Sequence, residues 1–157
     1  MHTRIKQAAA ALLAMTAALV GGWAEFAPLS FYRSFPLAGH PWIAPLGPYN
    51  EHLTRDVGGL YLALLVLTGW AAIRPHLGTL RLAGAAWLAF SLPHLVFHLL
   101  HLDELGTADK IGNIVSLGVN VALALVLITP SRAEAGRRAR PAPAERATAG
   151  AGQEAGR

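Results

Sequence analysis

Apolar residues dominate four stretches of the chain, at about residues 8–24, 57–73, 82–102 and 111–129, and none has Lys, Arg, Asp or Glu in its interior. Each supplies the roughly 17–25 residues a helix needs to cross about 30 Å of hydrocarbon. A soluble four-helix bundle carries polar residues on its outward faces, and these stretches have no such face. The pattern predicts an all-α fold, an integral membrane four-helix bundle within residues 1–129.

The connections differ sharply in character. Residues 25–56 contain Pro28, Pro36, Pro41, Pro45 and Pro48, so a long helix is not expected there. The same segment holds Phe26, Phe31, Tyr32, Phe35, Trp42 and Tyr49, which is too aromatic for a disordered linker. A Pro- and aromatic-rich loop of this length between helices 1 and 2 is expected to fold down as a lid on the bundle mouth or into the headgroup layer. Asn50 or Thr54 is placed to cap the second span. Gly58, Gly59 and the pair Gly112 and Ser116 suit close helix approach. Pro93 removes a backbone donor from the third span and predicts a kink there. Residues 130–157 mix Ala, Gly, Arg, Glu and Pro and are expected to form a disordered basic tail in the cytoplasm.

Composition agrees with a membrane protein: 54% of residues are hydrophobic and 14% charged, against about a quarter charged in soluble domains. The net charge of +4 is not read as nucleic-acid binding, because the charges are sorted by side. Arg4, Lys6, Arg74, Arg81 and the tail arginines fall on one side. Arg33, Arg55 and Lys110 fall on the other, outnumbered by Glu25, Glu51, Asp56, Asp103, Glu104 and Asp109. The positive-inside rule then predicts an N-in/C-in topology, with both termini cytoplasmic. A secretory signal peptide is the alternative for the first stretch, with Gly22, Trp23 and Ala24 as a loose cleavage site. Its length argues for a retained span, and cleavage would leave three. There is no cysteine, which excludes disulfides, Fe–S clusters and c-type haem and leaves His, Asp and Glu as metal ligands.

Against this apolar background, His94, His98 and His101 stand on one stripe about 60° wide. Asp109, Asn113, Ser116 and Asn120 form a second polar stripe on the fourth span. With the predicted topology, Glu25, Glu51, His52 and Asp56 reach the same outer level. Residues 60–73, 82–90 and 121–128 contain no Lys, Arg, Asp, Glu or His. A proton or ion pathway needs polar groups through the whole thickness, so a channel or pump is disfavoured and a site at the outer face is favoured.

Three functions fit that site. The first is binding of a divalent metal ion or haem b. About 10 Å separates His94 from His101, so one ion would take His98 with either neighbour, completed by Asp56, Glu51 or His52. A haem would pair a stripe histidine with His52. The second is a membrane enzyme acting on a lipid or quinone-like substrate, with His98 and Asp56 moving protons. No nucleophile elbow or phosphate loop is present, so enzymatic activity is left open. The third is a non-catalytic subunit that docks on another membrane protein or on a second copy of itself. The structural alternative is that the histidines are polar residues between helices, bonded to Asn113, Ser116, Asn120 or backbone freed by Pro93. Metal or haem binding is the leading expectation, with Asp109, Asn113, Ser116 and Asn120 as supporting groups. His2, His40 and His76 read as surface residues.

At Gly47-Pro-Tyr-Asn-Glu-His-Leu-Thr-Arg-Asp-Val-Gly58 and at Pro93-His-Leu-Val-Phe-His-Leu-Leu-His-Leu102, the chain resembles a group of small four-span bacterial integral membrane proteins. The likeness covers about residues 20–128. It implies the four-span fold and the outer polar cluster as one unit, and it carries no activity, substrate or cofactor. An Ala- and Arg-rich composition suits a bacterium of high GC content, so a multi-pass inner-membrane location is expected.

Overall fold

The computed structural model describes residues 3–130. The tail expected to be disordered falls almost wholly outside them. Helix α1 spans Thr3–Phe26, α2 Pro28–Ser34, α3 Glu51–Ile73, α4 Leu77–Leu100 and α5 Thr107–Ile128. A two-residue antiparallel hairpin, β1 Pro36–Leu37 and β2 His40–Pro41, and a short 3-10 turn at Ala44–Leu46 lie between α2 and α3. The fold is all-helical apart from that hairpin, and α1, α3, α4 and α5 are long and apolar enough to cross a membrane.

Helices outlast the apolar stretches at their polar ends. The α3 helix starts six residues before the expected span because Asn50 caps it, its Oδ1 accepting from the Leu53 amide at 3.2 Å. Thr54 is inside the helix and donates back to the Asn50 carbonyl at 2.8 Å. The short α2 has Pro28 in its first turn, where a missing N–H costs nothing. The α4 helix continues through Pro93 to Leu100.

Packing runs mainly in two antiparallel pairs, α1 along α3 and α4 along α5. Small residues set the first. A Cβ on Gly58 would lie 2.5–2.9 Å from the Glu25 backbone and Cβ, so the two helices touch backbone to backbone there. The second pair closes in the same way at Gly84, where a Cβ would meet the Ala124 carbonyl at 2.8 Å. The interior is correspondingly rich in alanine: Ala9, Ala10, Ala17, Ala24, Ala71, Ala83 and Ala124 are all buried. The buried polar group at mid-bundle is satisfied, with Trp87 Nε1 donating to Thr68 Oγ1 at 2.8 Å and that hydroxyl donating to the Leu64 carbonyl at 2.6 Å. Large apolar side chains such as Leu19, Val66, Ile73, Leu82 and Leu100 stay exposed on the outer faces, as a lipid-facing surface requires.

Lys6 departs from its expected role as a flanking charge. It is fully buried, and its ammonium donates to the carbonyls of Leu127, at 2.9 Å, and Thr129. A cation meeting the unpaired carbonyls at a helix C-terminus is favourable, so Lys6 fastens the start of α1 to the end of α5. Gln7 does the same for α3, donating to the Ala72 carbonyl at 2.8 Å.

Candidate ligand cavity

The segment between α1 and α3 is built around stacked rings. Trp23 meets Phe31 edge-on at 5.9 Å, Phe31 meets Phe35 at 4.7 Å, and Phe35 meets Trp42 edge-on at 6.1 Å. Tyr32 stacks near Tyr49 at 5.3 Å, and its hydroxyl donates to the Gly47 carbonyl at 2.7 Å. Two contacts pin this layer to α5. Trp42 Nε1 donates to Asp109 Oδ1 at 3.0 Å, and His40 Nδ1 lies 3.3 Å from the same carboxylate. Gly112 makes room: a Cβ there would lie 2.9 Å from the Trp42 ring. The expected small-residue contact at Gly112 therefore serves the loop. His40, read from sequence as an unremarkable surface residue, is an anchor of the lid.

Beneath the lid is a cavity of about 560 Å³. That falls inside the roughly 300–1,000 Å³ range of small-molecule sites. Its walls are aromatic and aliphatic, with Trp23, Phe31, Phe35, Trp42, Tyr61 and Phe97 prominent. Polar side chains line it from four helices: Thr16 of α1, Thr54 of α3 with its cap Asn50, His94 and His98 of α4, and Asn113, Ser116 and Asn120 of α5. Among the described residues, no Lys, Arg, Asp or Glu lines it.

The histidine stripe divides. His94 stacks on Phe90 with ring centres 5.1 Å apart, and the His94 and His98 rings meet edge to face at 4.7 Å. Both line the cavity. His101 is the C-cap of α4, off the helical path, so the 100° repeat ends before it. It is exposed, stacks on Phe97 at 4.2 Å, and donates from Nδ1 to the Phe97 carbonyl at 2.8 Å.

The α3 groups face elsewhere. Glu51 pairs with Arg55 at 2.9 Å, and Arg55 also donates to the Glu25 carbonyl. His52 lies 3.4 Å from Asp56, one turn on, with both side chains mostly exposed. None of Glu51, His52 or Asp56 lines the cavity. The expected pairings of His98 with Asp56, and of a stripe histidine with His52 across a haem, are not among the contacts seen; Asp56 lies against His52 instead. Among the described residues no group of three His, Asp or Glu is close enough together to hold a metal ion.

The α5 stripe stays together. Asn113, Ser116 and Asn120 all reach the cavity, while Asp109 holds the lid. Ser116 donates to the Asn113 carbonyl at 3.0 Å. Asn113 is 2% exposed, and its Oδ1 is enclosed with no hydrogen-bond partner. An acceptor left unpaired in such a place costs about 1–3 kcal/mol, so it marks a position where a donor is wanted. Sequence reasoning assigned Asn113 a supporting role and expected Phe31, Tyr32, Phe35 and Trp42 in a lid, but it did not single out Tyr61 or Phe97 as walls, because no local pattern shows which helix rings turn toward the cavity.

No known protein family, curated protein or solved structure matches this chain.

Proposed function

We propose that this protein binds an uncharged, ring-bearing amphiphile of the quinone or quinol kind in the cavity beneath the aromatic lid. The observation that carries this is the pairing of an aromatic, charge-free lining with one buried, unpartnered acceptor at Asn113. A phospholipid headgroup wants a cation for its phosphate, and among the described residues no Lys or Arg lines the cavity. A flat ring gains offset or edge contacts from walls such as Trp23, Phe35 and Trp42. Hydroxyls or carbonyls on that ring meet the Asn113 amide and the imidazoles of His94 and His98, which accept or donate according to tautomer. A ring hydroxyl that reaches the Asn113 side chain fills the vacant bond at Oδ1 once that amide, enclosed by its neighbours, turns toward the cavity.

The charge pattern supports a membrane orientation for this site. Arg4, Lys6, Arg74 and Arg81 belong to the end of the bundle away from the lid, so the positive-inside rule puts that end in the cytoplasm and the lid outside. The protein then sits as a multi-pass protein of the bacterial inner membrane and takes its ligand from the bilayer.

The test is equilibrium binding of a radiolabelled short-chain benzoquinone, oxidised and reduced, to the full chain in nanodiscs, with empty nanodiscs as the partition control. Saturable binding above the control is expected. His98→Phe and Asn113→Leu should each weaken it by about 2- to 12-fold, the value of one lost hydrogen bond. Binding no greater than to empty discs overturns the proposal. So does purified protein that carries a stoichiometric metal ion by elemental analysis, or a haem by its Soret band.

A further inference from the structure

A second, more open groove of about 300 Å³ runs between α1 and α5, lined by Leu12, Met15, Thr16 and Leu19 on one side and Val119, Asn120 and Leu123 on the other. Thr16, Leu19 and Asn120 line the cavity as well, so groove and cavity adjoin at these three residues. The α1–α5 seam is one of the two looser ones, along with α3–α4: α1 packs chiefly along α3 and α5 along α4, and α1 and α5 meet over a much shorter stretch. Lys6 ties them together only at the far end, through the Leu127 and Thr129 carbonyls.

We infer that the α1–α5 seam is the lateral portal of the cavity and holds a hydrocarbon tail of the bound amphiphile. This rests on the reading of the cavity as a site for an uncharged ring. From Leu12 to Leu19 the groove follows α1 for about 10 Å at 1.5 Å per residue. Met15 and Leu19 are 60% and 64% exposed, and Leu12 and Val119 are about half exposed, so the groove opens on the outer surface of the bundle. Its two polar side chains, Thr16 and Asn120, are shared with the cavity, and the residues that line the groove alone, Leu12, Met15, Val119 and Leu123, are apolar. That gradient matches a molecule with its polar ring in the cavity and its chain running out between the helices. Lipid tails are as apolar as leucine, so a chain moving from bilayer to groove gains packing rather than hydrophobic energy. The tail is therefore expected to set location and not to tighten binding much.

Photo-crosslinking reads location directly. The full chain in nanodiscs is loaded with a benzoquinone bearing a decyl chain tagged by a diazirine, irradiated, and mapped by peptide mass spectrometry. Adducts concentrated on Leu12, Met15, Leu19, Val119 and Leu123, and lost when excess short-chain benzoquinone is added, support the portal. Val119→Trp should abolish them by filling the groove while short-chain benzoquinone still binds. Adducts spread over other outward residues such as Val66 and Ile73, or seam adducts that the short-chain competitor fails to displace, overturn the portal and leave only annular lipid. If the short-chain compound itself does not bind, the cavity proposal fails instead, and the two failures are told apart by that control.

Discussion

Replacing Asn113 with leucine should move stability and binding in opposite directions. Leucine is nearly isosteric with asparagine and carries no polar atom. Asn113 is 2% exposed and its Oδ1 has no partner, so the folded, empty protein carries a desolvated acceptor. Removing it relieves a penalty of about 1–3 kcal/mol. In membranes the unfolded reference state also finds partners for polar groups, and interhelical hydrogen bonds there average about 0.6 kcal/mol. The gain on Asn113→Leu is accordingly expected near 1 kcal/mol. Binding loses one hydrogen bond, or about 0.5–1.5 kcal/mol, a 2- to 12-fold weaker affinity. The stability is read by SDS titration of the ligand-free protein in mixed micelles, followed by circular dichroism, and the affinity by short-chain benzoquinone binding in nanodiscs. A purely structural amide would give the reverse stability result, a loss, with affinity untouched. That combination would refute the assignment.

Other substitutions test the frame around the site. Gly58→Ala and Gly84→Ala each force a Cβ into facing backbone, and should cost about 1–3 kcal/mol in the same SDS titration. Lys6→Met removes charge-assisted bonds to the Leu127 and Thr129 carbonyls, with an expected loss of about 1.5–3 kcal/mol and faster hydrogen exchange at the end of α5. Trp42→Phe deletes the bond to Asp109 that anchors the lid, so amides in residues 35–47 should exchange faster while α3 and α4 keep their protection.

The helices were legible in the sequence because hydrocarbon thickness fixes their length and burial in lipid forbids charges in their middle. The ends were less so. Capping by Asn50 and the back-reach of Lys6 extend α3 and α1 beyond their apolar stretches, and neither leaves a hydropathy signal. The α5 polar stripe survived almost whole, since three of its four members share the cavity and the fourth holds the lid. The histidine stripe survived in part: periodicity aligns His94 and His98, but α4 ends at Leu100 and His101 leaves the face. The charges at the start of α3 were grouped with the histidines in the sequence and do not line the cavity. Level follows from distance along a helix, whereas facing depends on which neighbour α3 packs against, and that is set by Gly58 against Glu25. The lid's contact from Trp42 and His40 to Asp109 bridges nearly seventy residues, beyond the reach of any local pattern.

The cavity beneath the lid can be interrogated through the protein's own tryptophans. Trp42 lines it, and Trp70 lies 56% exposed on α3, outside the lining, beside Arg74. Two variants in nanodiscs, one keeping only Trp42 and one keeping only Trp70, are titrated with short-chain benzoquinone, which quenches indole fluorescence on contact. Saturable quenching of the Trp42 protein, with only the weak linear quenching of membrane partition in the Trp70 protein, is the predicted result. Equal, non-saturating quenching of both would mean the quinone stays in the bilayer and the cavity does not bind it.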